Sequence, residues 1–485
     1  MKTFGRFLFI AVFTNLLFAC SELPQFSDDN AGMELKKAPL NEGQVFTVYP
    51  SGDDDTPSLN LAFNDAIAAG PGSVVQLVEG TYHLNFIEIR EFSGKFRGAG
   101  KGKTIITTIN DLGVDFLISQ KLNTVLIRFV GGDVYMGEMT LQTPPGALST
   151  GAENYIDGLV GFSARTYQYN SINDHINAVV NNVEFTGYWE NINHGLKAEY
   201  GVRGDATVPG GWPLSHMDIS VTNCSFDGFY FFGAVIEHVN EGKIIAGTKN
   251  NGNIFNNNGA TRNVPYETGG GGSLGIWSNV NVKISIAGNT FFVPEGTRWG
   301  IEMFSSPVPA RLQQVPQTKV TTCNIEQNVF NISGGAGGLL INDRRRYFFP
   351  DDLPMLVEVK SNNFILSNNT FTGIGSANMK GMVIRNNKFE GSGQFGVRVM
   401  GPLPYPYNEN GLMLGNNLSF ATFSVASVLL DKRTNNWTIV GGNLSDTIVN
   451  LGENNLISGM NISTSEVPLG KTIVDNLEEM REVRR

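Results

Sequence analysis

The sequence predicts an all-β chain whose short parallel strands wind into a solenoid, and three observations predict it. A phrase of Asn, one or two residues and Phe recurs from about residue 180 to residue 460, and a Gly that opens an apolar run follows within a few residues. Short apolar or β-branched segments, bounded by Asn and Gly, lie between the copies. Helical periodicity is almost absent there. The phrase occurs at residues 182–185, 223–226, 253–255, 289–291, 328–330, 369–371, 387–389 and 417–420.

The spacing of this phrase indicates a repeat architecture. Units of roughly 20 to 50 residues are typical of solenoids, because each unit buries its apolar face only against its neighbours. The signatures of leucine-rich and helical repeats are absent. Asn suits tight turns and can form side-chain ladders, and stacked Phe side chains can fill the interior. We therefore expect a parallel β-solenoid with constant turns and loops of variable length.

The segment before the repeats predicts a short capping helix. Thr56 is a suitable N-cap with Pro57 at the first helical position. Leu59, Phe63 and Ile67 then form an i, i+4, i+8 apolar stripe. A Gly-Pro-Gly sequence ends the helix. Such a helix can cover the open, apolar end of a solenoid.

The same region carries a family resemblance. Gly-Asp-Asp-Asp-Thr at residues 52–56, Gly-Thr-Tyr at 80–82 and Gly-Ala-Gly followed by Thr-Ile-Ile at 98–106 resemble the opening of the pectate-lyase-like superfamily. The resemblance covers about residues 45–465 and implies a single-stranded right-handed parallel β-helix with a short N-terminal capping helix. The superfamily contains lyases, glycoside hydrolases, esterases, epimerases and adhesins. Because the motifs of its polygalacturonases, main pectate lyases and pectin methylesterases are absent, no catalytic role is carried over.

The N-terminal residues predict a signal for export from the cytoplasm. Residues 1–19 combine a basic start with an apolar stretch that is too short to span a membrane, as in a cleaved signal peptide. Leu-Phe-Ala-Cys at its end resembles a bacterial lipoprotein signal and predicts lipidation of Cys20; an ordinary secretory signal with a chance cysteine is the alternative. We expect a lipid-anchored protein of the cell envelope, in the outer membrane and exposed at the surface. The predicted parts are a tether at 20–44, the β-helix at 45–465 and a C-terminal cap or tail at 466–485.

The charge and the cysteines narrow the class of partner. A net charge of −10 argues against nucleic acid, because phosphate neutralisation needs a basic surface. This net charge is compatible with binding an extracellular polysaccharide, and an acidic polysaccharide would need only a local strip of positive charge. Cys224 and Cys323 lie in repeat-like strands, so we expect buried thiols and no disulfide.

Aligning the repeats on their glycines predicts a candidate site. Residues two and four beyond the Gly should point outward on one strand of every coil, since the strand period is two. Glu199 and Glu237 are then expected at the same angular position on neighbouring coils, with Asn279 on the next. Carboxylates that close need a shared proton or a cation, and oxygen ligands of this kind suit Ca²⁺. The outward pairs are Lys197/Glu199, Val235/Glu237, Trp277/Asn279, Glu302/Phe304, Leu340/Asn342 and Arg398/Met400.

This column predicts a protein that binds and cleaves a polysaccharide, and a lyase acting on a uronate-containing glycan is favoured over the two alternatives. Lys197 or Arg398 can abstract the proton α to a uronate carboxylate while a metal or Arg neutralises that carboxylate, which is the β-elimination of a polysaccharide lyase. Alternatively, Glu237 and Glu302 can act as the acid and base of a glycoside hydrolase. A non-catalytic glycan-binding or adhesive surface protein is the third possibility, since exposed sheets carry mixed charges anyway. The residues predicted to bind substrate are Trp277, Trp299, Arg344 and His238.

Overall fold

The structure, a computed structural model, describes residues 43–109, 125–143, 155–163, 175–188, 197–205, 216–259, 271–295, 297–305, 319–334, 337–348, 353–400, 408–445, 447–459 and 461–462. The predicted signal peptide, Cys20, the tether and the C-terminal tail lie outside these residues. Among the described residues, no helix has the length and apolar character needed to cross a membrane.

The described chain consists of strands and two helices. The helices are α1 (Thr56–Ala69) and α2 (Arg345–Phe348). The first strands are β1 (Val45–Val48), β2 (Ser73–Leu77), β3 (Gly80–Leu84), β4 (Ile87–Arg90), β5 (Gly94–Arg97), β6 (Thr104–Thr108), β7 (Val125–Val130), β8 (Gly132–Gln142), β9 (Tyr155–Ser163), β10 (His175–Thr186), β11 (Lys197–Asp205), β12 (His216–Thr222), β13 (Ser225–Asp227), β14 (Phe232–Glu237), β15 (Glu241–Ala246), β16 (Ile254–Asn256) and β17 (Gly272–Trp277). The remaining strands are β18 (Val282–Ala287), β19 (Thr290–Val293), β20 (Trp299–Phe304), β21 (Thr322–Glu326), β22 (Val329–Ser333), β23 (Gly337–Asn342), β24 (Leu356–Lys360), β25 (Asn363–Ala377), β26 (Val383–Arg385), β27 (Lys388–Met400), β28 (Asn408–Glu409), β29 (Leu412–Leu430), β30 (Thr434–Asn435), β31 (Thr438–Leu444), β32 (Ile448–Asn450), β33 (Leu456–Ser458) and β34 (Asn461–Ile462).

These strands form the three faces of a parallel β-helix. Each strand pairs in parallel with its equivalent one coil later. The long strands β8, β10, β25, β27 and β31 turn a corner and join two faces, β29 passes through all three, and β28 and β30 form a separate two-stranded sheet. The predicted fold class, a right-handed parallel β-helix, is confirmed. Face 1 contains β4, β7, β9, β11, β14, β17, β20, β23, β25, β27, β29 and β32. Face 2 contains β1, β2, β5, β8, β10, β12, β15, β18, β21, β24, β26, β29, β31 and β33, and face 3 contains β3, β6, β8, β10, β13, β16, β19, β22, β25, β27, β29, β31 and β34.

The capping helix is confirmed with two corrections. Helix α1 begins one residue after its N-cap, which is Asp55 and not Thr56. The buried Asp55 carboxylate accepts the backbone N–H groups of Ser51 and His83, and so ties the helix start to the first coil. The Phe63 ring packs against three phenylalanine rings of the first coils. Leu59 and Phe63 of the predicted stripe are buried, whereas Ile67 is 36% exposed because Ala62 and Ala66 complete the buried face.

The Phe of the repeated phrase forms a stack inside the helix. Successive ring centroids lie 4.8–4.9 Å apart, which is the spacing of adjacent strands. Two predicted copies of the phrase do not belong to it. Phe364 takes the place predicted for Phe371, and Leu418 takes the place predicted for Phe420, which is 63% exposed. The stacked rings are Phe185, Phe226, Phe255, Phe291, Phe330, Phe364 and Phe389.

The Asn of the phrase forms a buried ladder. In each coil the Oδ1 atom accepts hydrogen bonds from the backbone N–H and from the Nδ2 of the ladder residue on the coil before. Asn182 and Asn223 are not members: their φ angles of 56° and 54° place them at left-handed turn positions, which Asn tolerates. Cys224, a buried free thiol, follows in the ladder position, and Cys323 is likewise free and buried, as predicted. The ladder residues are Asn253, Asn289, Asn328, Asn362, Asn387 and Asn416.

The Phe stack packs directly against the Gly of the phrase. A Cβ atom on Gly373 would lie 2.5 Å from a ring carbon of Phe389, and one on Gly338 would lie 2.9 Å from a ring carbon of Phe364. A side chain at either position would therefore displace the stacked ring. Ser273 occupies the equivalent position in β17, so Gly is needed on most coils and not on every one.

Candidate functional site

Two rows of outward-facing positions run along face 1, one position per coil. We call them row A and row B. The predicted pairs Val235/Glu237, Glu302/Phe304, Leu340/Asn342 and Arg398/Met400 occupy them as expected. From β11 onward, row A contains, in coil order, Arg203, Val235, Gly275, Glu302, Leu340, Gly375 and Arg398, and Gly161 and Arg128 lie in register with it on the two preceding coils. Row B contains Asp205, Glu237, Trp277, Phe304, Asn342, Ala377 and Met400.

The predicted pair Lys197/Glu199 does not lie in these rows. The alignment on Gly195 was wrong, because Arg203 and Asp205 are the residues in register with Val235 and Glu237. Lys197 pairs with Tyr155 on the preceding coil, and the register on either side places Glu199 opposite Asp157. Loops of variable length hide this six-residue offset in the sequence. A second search for outward charges after Gly201 would have found the two missed residues.

Asn279 also lies outside the rows. Its coil has Ser273 in the glycine position, so Trp277 belongs to row B and Asn279 follows the end of β17. Its Oδ1 accepts the N–H of Val239 at 2.8 Å, and its Nδ2 donates to the carbonyl of Ile236 at 3.1 Å. The amide is thus used by the backbone of the preceding coil. The predicted Ca²⁺ ligands Glu199, Glu237 and Asn279 therefore do not form one row.

The first two coils of these rows carry an ionic cluster, which we call the Arg203 cluster: Arg203, Asp205, Glu237 and His238. Arg203 Nε donates to Glu237 Oε1 at 3.0 Å, and its Nη2 donates to Asp205 Oδ2 at 3.1 Å. His238 Nδ1 lies 3.3 Å from Asp205 Oδ1 and 3.8 Å from Glu237 Oε2. The Glu237 side chain is 9% exposed, whereas Arg203 and Asp205 are 24% and 23% exposed. The cluster is held by its own bonds and remains open to solvent on one side.

His238 occupies the turn position that directly follows row B. Its φ of 63° lies in the left-handed region, as do the φ angles of Ser278 and Asn378 at the same position on later coils. Its N–H donates to the carbonyl of Trp277, which fixes the turn after Glu237. The conformation is therefore a feature of the coil, and it holds the imidazole beside Asp205 and Glu237.

The protonation of the cluster depends on burial. Burial raises the pKa of Glu237 above its ordinary value, although Arg203 opposes the rise. Burial acts to lower the pKa of Arg203, but Glu237 and Asp205 raise it above its ordinary range. The guanidinium therefore stays charged, and burial favours the protonated form of Glu237.

Glu199 and Asp157 form a second carboxyl pair beside the cluster. Glu199 precedes Tyr200 on β11, and Asp157 lies opposite Glu199 on β9. Burial and the neighbouring Asp157 raise the pKa of Glu199 to about 7. Burial also raises the pKa of Tyr200, and the negative charges of Glu237 and Glu199 both contribute to the rise. The Tyr200 ring stacks on Phe231 with centroids 5.9 Å apart. Acidic groups thus outnumber Arg203 at this end of face 1.

Glu302 forms a separate feature two coils beyond Glu237. Its side chain lies in row A between Gly275 and Leu340 and is only 3% exposed. Its Oε2 has no hydrogen-bond partner among the described residues. Burial raises the pKa of Glu302 to about 7, although Arg298 and Arg344 act to lower it. A buried carboxyl group of this kind is typical of functional sites.

Replacing Glu302 by Gln is expected to change how stability depends on pH. Between about pH 4.5 and 7 the folded chain keeps a proton on Glu302 that the unfolded chain has lost, so wild-type stability falls as the pH rises through this window. The variant lacks this group and should lose about 1–3 kcal/mol less over the same window. Urea unfolding at several pH values measures the difference. Glu295→Gln, which removes an exposed carboxyl group nearby, should follow the wild type.

The other predicted residues are placed apart from the Arg203 cluster. Trp299 is 8% exposed, and its ring packs against Gly337 and Gly375, so it is not a free platform for a sugar. Arg398 lies six coils beyond Arg203 in row A, about 29 Å at ~4.8 Å per coil. Its guanidinium lies over the rings of Phe371 and Phe395. It cannot act on the same bond as the cluster.

Comparisons with known proteins support no assignment of residues. No family model matches the chain, and no curated protein matches it. Among solved structures, a mannuronic-acid-specific polysaccharide family 6 lyase from human gut microbiota is 14% identical, with a TM-score of 0.49 over 91% of this chain and 94% of that chain. The A-module of the mannuronan C-5 epimerase AlgE4 from Azotobacter vinelandii is 15% identical, with a TM-score of 0.46 over 86% and 98% of the two chains. The catalytic domain of a GH87 α-1,3-glucanase is 10% identical, with a TM-score of 0.43 over 88% and 69%.

These identities and scores give no residue a role. The strand register, the three faces and the capping helix of the chain itself define its architecture. The chain folds as a right-handed parallel β-helix.

Proposed function

We propose that this protein is a polysaccharide-cleaving enzyme whose active site is the Arg203 cluster, and that Glu237 and Asp205 hydrolyse the glycosidic bond. One observation carries the proposal: the two carboxyl groups lie on adjacent coils with oxygen atoms within 4.8 Å of each other, in different surroundings. Glu237 is the more buried and has a raised pKa, whereas Asp205 is bonded to both Arg203 and His238. Carboxyl pairs whose environments separate their protonation are the acid and base of glycoside hydrolysis.

The roles follow from this difference. Glu237 donates its proton to the leaving oxygen as the glycosidic bond breaks, while an Asp205 oxygen bonds to the anomeric carbon. Water then attacks that carbon, gives a proton to Glu237 and releases the sugar from Asp205. Retaining enzymes hold their carboxyl groups about 5–5.5 Å apart, so the short separation favours retention of configuration. The sequence had paired Glu237 with Glu302, but two coils separate them, about 10 Å along the axis at ~4.8 Å per coil.

Row B supports a polymeric sugar as substrate. Trp277 and Phe304 follow Glu237 on the next two coils, so an aromatic strip continues along the helix axis from the proposed acid. Aromatic rings of this kind can stack on the faces of sugar rings. A polysaccharide lying along row B would contact them while one of its bonds lies at the Arg203 cluster.

Lyase chemistry is the second candidate, and His238 is the observation that favours it. Asp205 engages Nδ1, which leaves Nε2 to take the proton α to a uronate carboxylate while the bond to the neighbouring sugar breaks. This β-elimination needs a positive charge beside the uronate carboxylate. Arg203 already bonds to two carboxylates, so elimination is disfavoured unless a further cation is bound.

For the lyase, a bound Ca²⁺ ion could supply the additional positive charge. Asp205, Glu237 and His238 offer one ligand atom each within 4.8 Å of one another. Arg203 donates hydrogen bonds to both carboxylates, so its guanidinium already lies where a bridging cation would bind. The three residues therefore fit a Ca²⁺ ion poorly. This disagreement is a further reason to favour hydrolysis.

One assay separates the candidates. The mature protein is incubated with neutral glucans, polyuronates and polysaccharides of mixed composition, with and without a chelator, and both reducing ends and unsaturated products are measured. Hydrolysis should release reducing ends without the absorbance of unsaturated uronates and should tolerate the chelator. Unsaturated products would support the lyase instead, and binding without cleavage would support a glycan-binding surface protein. We also propose a lipid anchor at Cys20 and an outer-membrane location, and both rest only on the signal sequence.

A further inference from the structure

The far end of the aromatic strip carries an exposed positive charge. Arg344 follows β23, and its guanidinium lies over the Phe304 ring, 4.1 Å from the centroid. Its backbone N–H donates to the carbonyl of Asn342, which turns the chain back over row B. The side chain is exposed and forms no ion pair with any residue in the part of the chain that the structure describes. An arginine stacked on a ring keeps its donor fork free for a planar anion.

A buried polar group lies two residues from this platform. Glu302 precedes Phe304 on the same strand, and its Oε2 lacks a partner among the described residues. The neighbouring coil has Gly275 at this row position, where the side chains of Val235 and Phe232 approach to 3.0 Å and 3.3 Å of the place a Cβ atom would take. A buried polar atom without a partner calls for an explanation, and a ligand hydroxyl would satisfy it. Ring, guanidinium and carboxyl group together are the parts of a sugar-binding subsite.

The two ends of the strip differ in charge. At the cluster, four carboxyl groups lie around Arg203, and Arg128 lies in register with it two coils earlier; the four are Asp157, Glu199, Asp205 and Glu237. An anionic sugar would be repelled there, whereas Arg344 would attract one about three coils further along row B, ~14 Å at ~4.8 Å per coil. A glycan that satisfies both ends carries a neutral sugar at the cluster and an acidic sugar at Arg344.

We propose that Phe304, Arg344 and Glu302 form a subsite for a uronate residue, with the carboxylate on the Arg344 guanidinium that covers the Phe304 ring, the sugar ring beside this stacked pair and a hydroxyl directed at Glu302. The substrate class is then a heteropolysaccharide in which uronate and neutral sugars occur together. The position of the subsite relative to the cut bond rests on the proposed function, but the binding of the uronate does not.

Binding without turnover tests the subsite. Isothermal titration uses full-length chain with Glu237→Gln, so that nothing is cleaved, and three probes: an oligosaccharide of alternating glucuronate and neutral sugars, its carboxyl-reduced form, and a sulfated neutral oligosaccharide. Adding Arg344→Gln should weaken binding of the glucuronate probe about tenfold or more and leave the carboxyl-reduced probe unchanged. Arg344→Lys should recover part of the loss, since a point charge remains. Lys283→Gln, which removes an exposed charge on face 2, should have no effect.

The outcomes separate the two proposals. Equal loss for the glucuronate and carboxyl-reduced probes, or no loss for either, would overturn the subsite. Arg344-dependent binding of the sulfated probe alone would overturn its assignment to a uronate. A wild-type chain that cleaves no polysaccharide but shows the Arg344 dependence would refute the proposed function and leave the subsite standing. If the wild-type chain cleaves a polysaccharide but Arg344→Gln leaves glucuronate binding unchanged, the subsite is refuted and the proposed function stands.

Discussion

Replacing Glu237 by Gln is expected to reduce the rate of glycosidic cleavage by about 10²–10⁴-fold, the usual contribution of a positioned general acid. The amide keeps the shape of the side chain, and its oxygen can still accept the hydrogen bond from Arg203 that Glu237 accepts at 3.0 Å. Only the transferable proton is lost. The change should therefore act on kcat more than on KM. Initial rates on the polysaccharide that the wild type cleaves measure both.

The control is another Glu→Gln change outside the cluster. Glu241 lies four residues further on, at the start of a face 2 strand, where it pairs with Lys319 at the surface. Glu241→Gln should keep the wild-type rate. If Glu237→Gln retained full activity while remaining folded, Glu237 would not be the acid and the pairing with Asp205 would be wrong. The anomeric configuration of the first product, read by NMR, then tests whether Asp205 acts as a nucleophile or as a base.

Replacing Asn328 by Ala is expected to lower the free energy of unfolding by about 2–5 kcal/mol. Its Oδ1 accepts the N–H and the Nδ2 of Asn289, and its Nδ2 donates to the Ile286 carbonyl and to Asn362 Oδ1, all at 2.9–3.0 Å. Alanine would leave buried partners on both adjacent coils unpaired, and each such group costs about 1–3 kcal/mol. Urea unfolding followed by far-UV circular dichroism measures the shift of the midpoint.

A matched change on the same coil separates the ladder from a general effect. Asn331 lies three residues further on, outward on face 3, and no side-chain hydrogen bond connects it to the described residues. Asn331→Ala should change stability by less than about 0.5 kcal/mol. Equal losses for the two variants would show that the ladder contributes nothing special and that its hydrogen bonds are replaced by water.

The repeat phrase predicted the fold well because each of its three residues has a local physical task. The Asn pairs with the coils before and after it, the Phe stacks at the strand spacing, and the Gly makes room for the ring. The prediction failed where another residue performs a task equally well. Leu418 replaces Phe in the stack, and Ser273 replaces Gly at the start of β17. A search for one phrase cannot detect such replacements.

The candidate site was predicted less completely. Glu237 and His238 were named, but Arg203 and Asp205 were missed, because an alignment on Gly195 placed Glu199 where Asp205 lies. Spacing along the chain cannot distinguish the two glycines when loop lengths vary between coils. Burial was also invisible in the sequence: Trp299 was expected as an exposed platform and is packed against the glycines of later coils.

The sequence by itself determined the coil, its capping helix and the face on which charged and aromatic residues would collect, because turns, stacks and side-chain alternation are local properties of the chain. Only the tertiary structure decided which residues of different coils meet. Asp205 and Glu237 lie 32 positions apart and become neighbours through the hydrogen-bond register of β11 and β14. That register depends on the whole stack of coils, since a shift of one residue would turn every outward side chain inward.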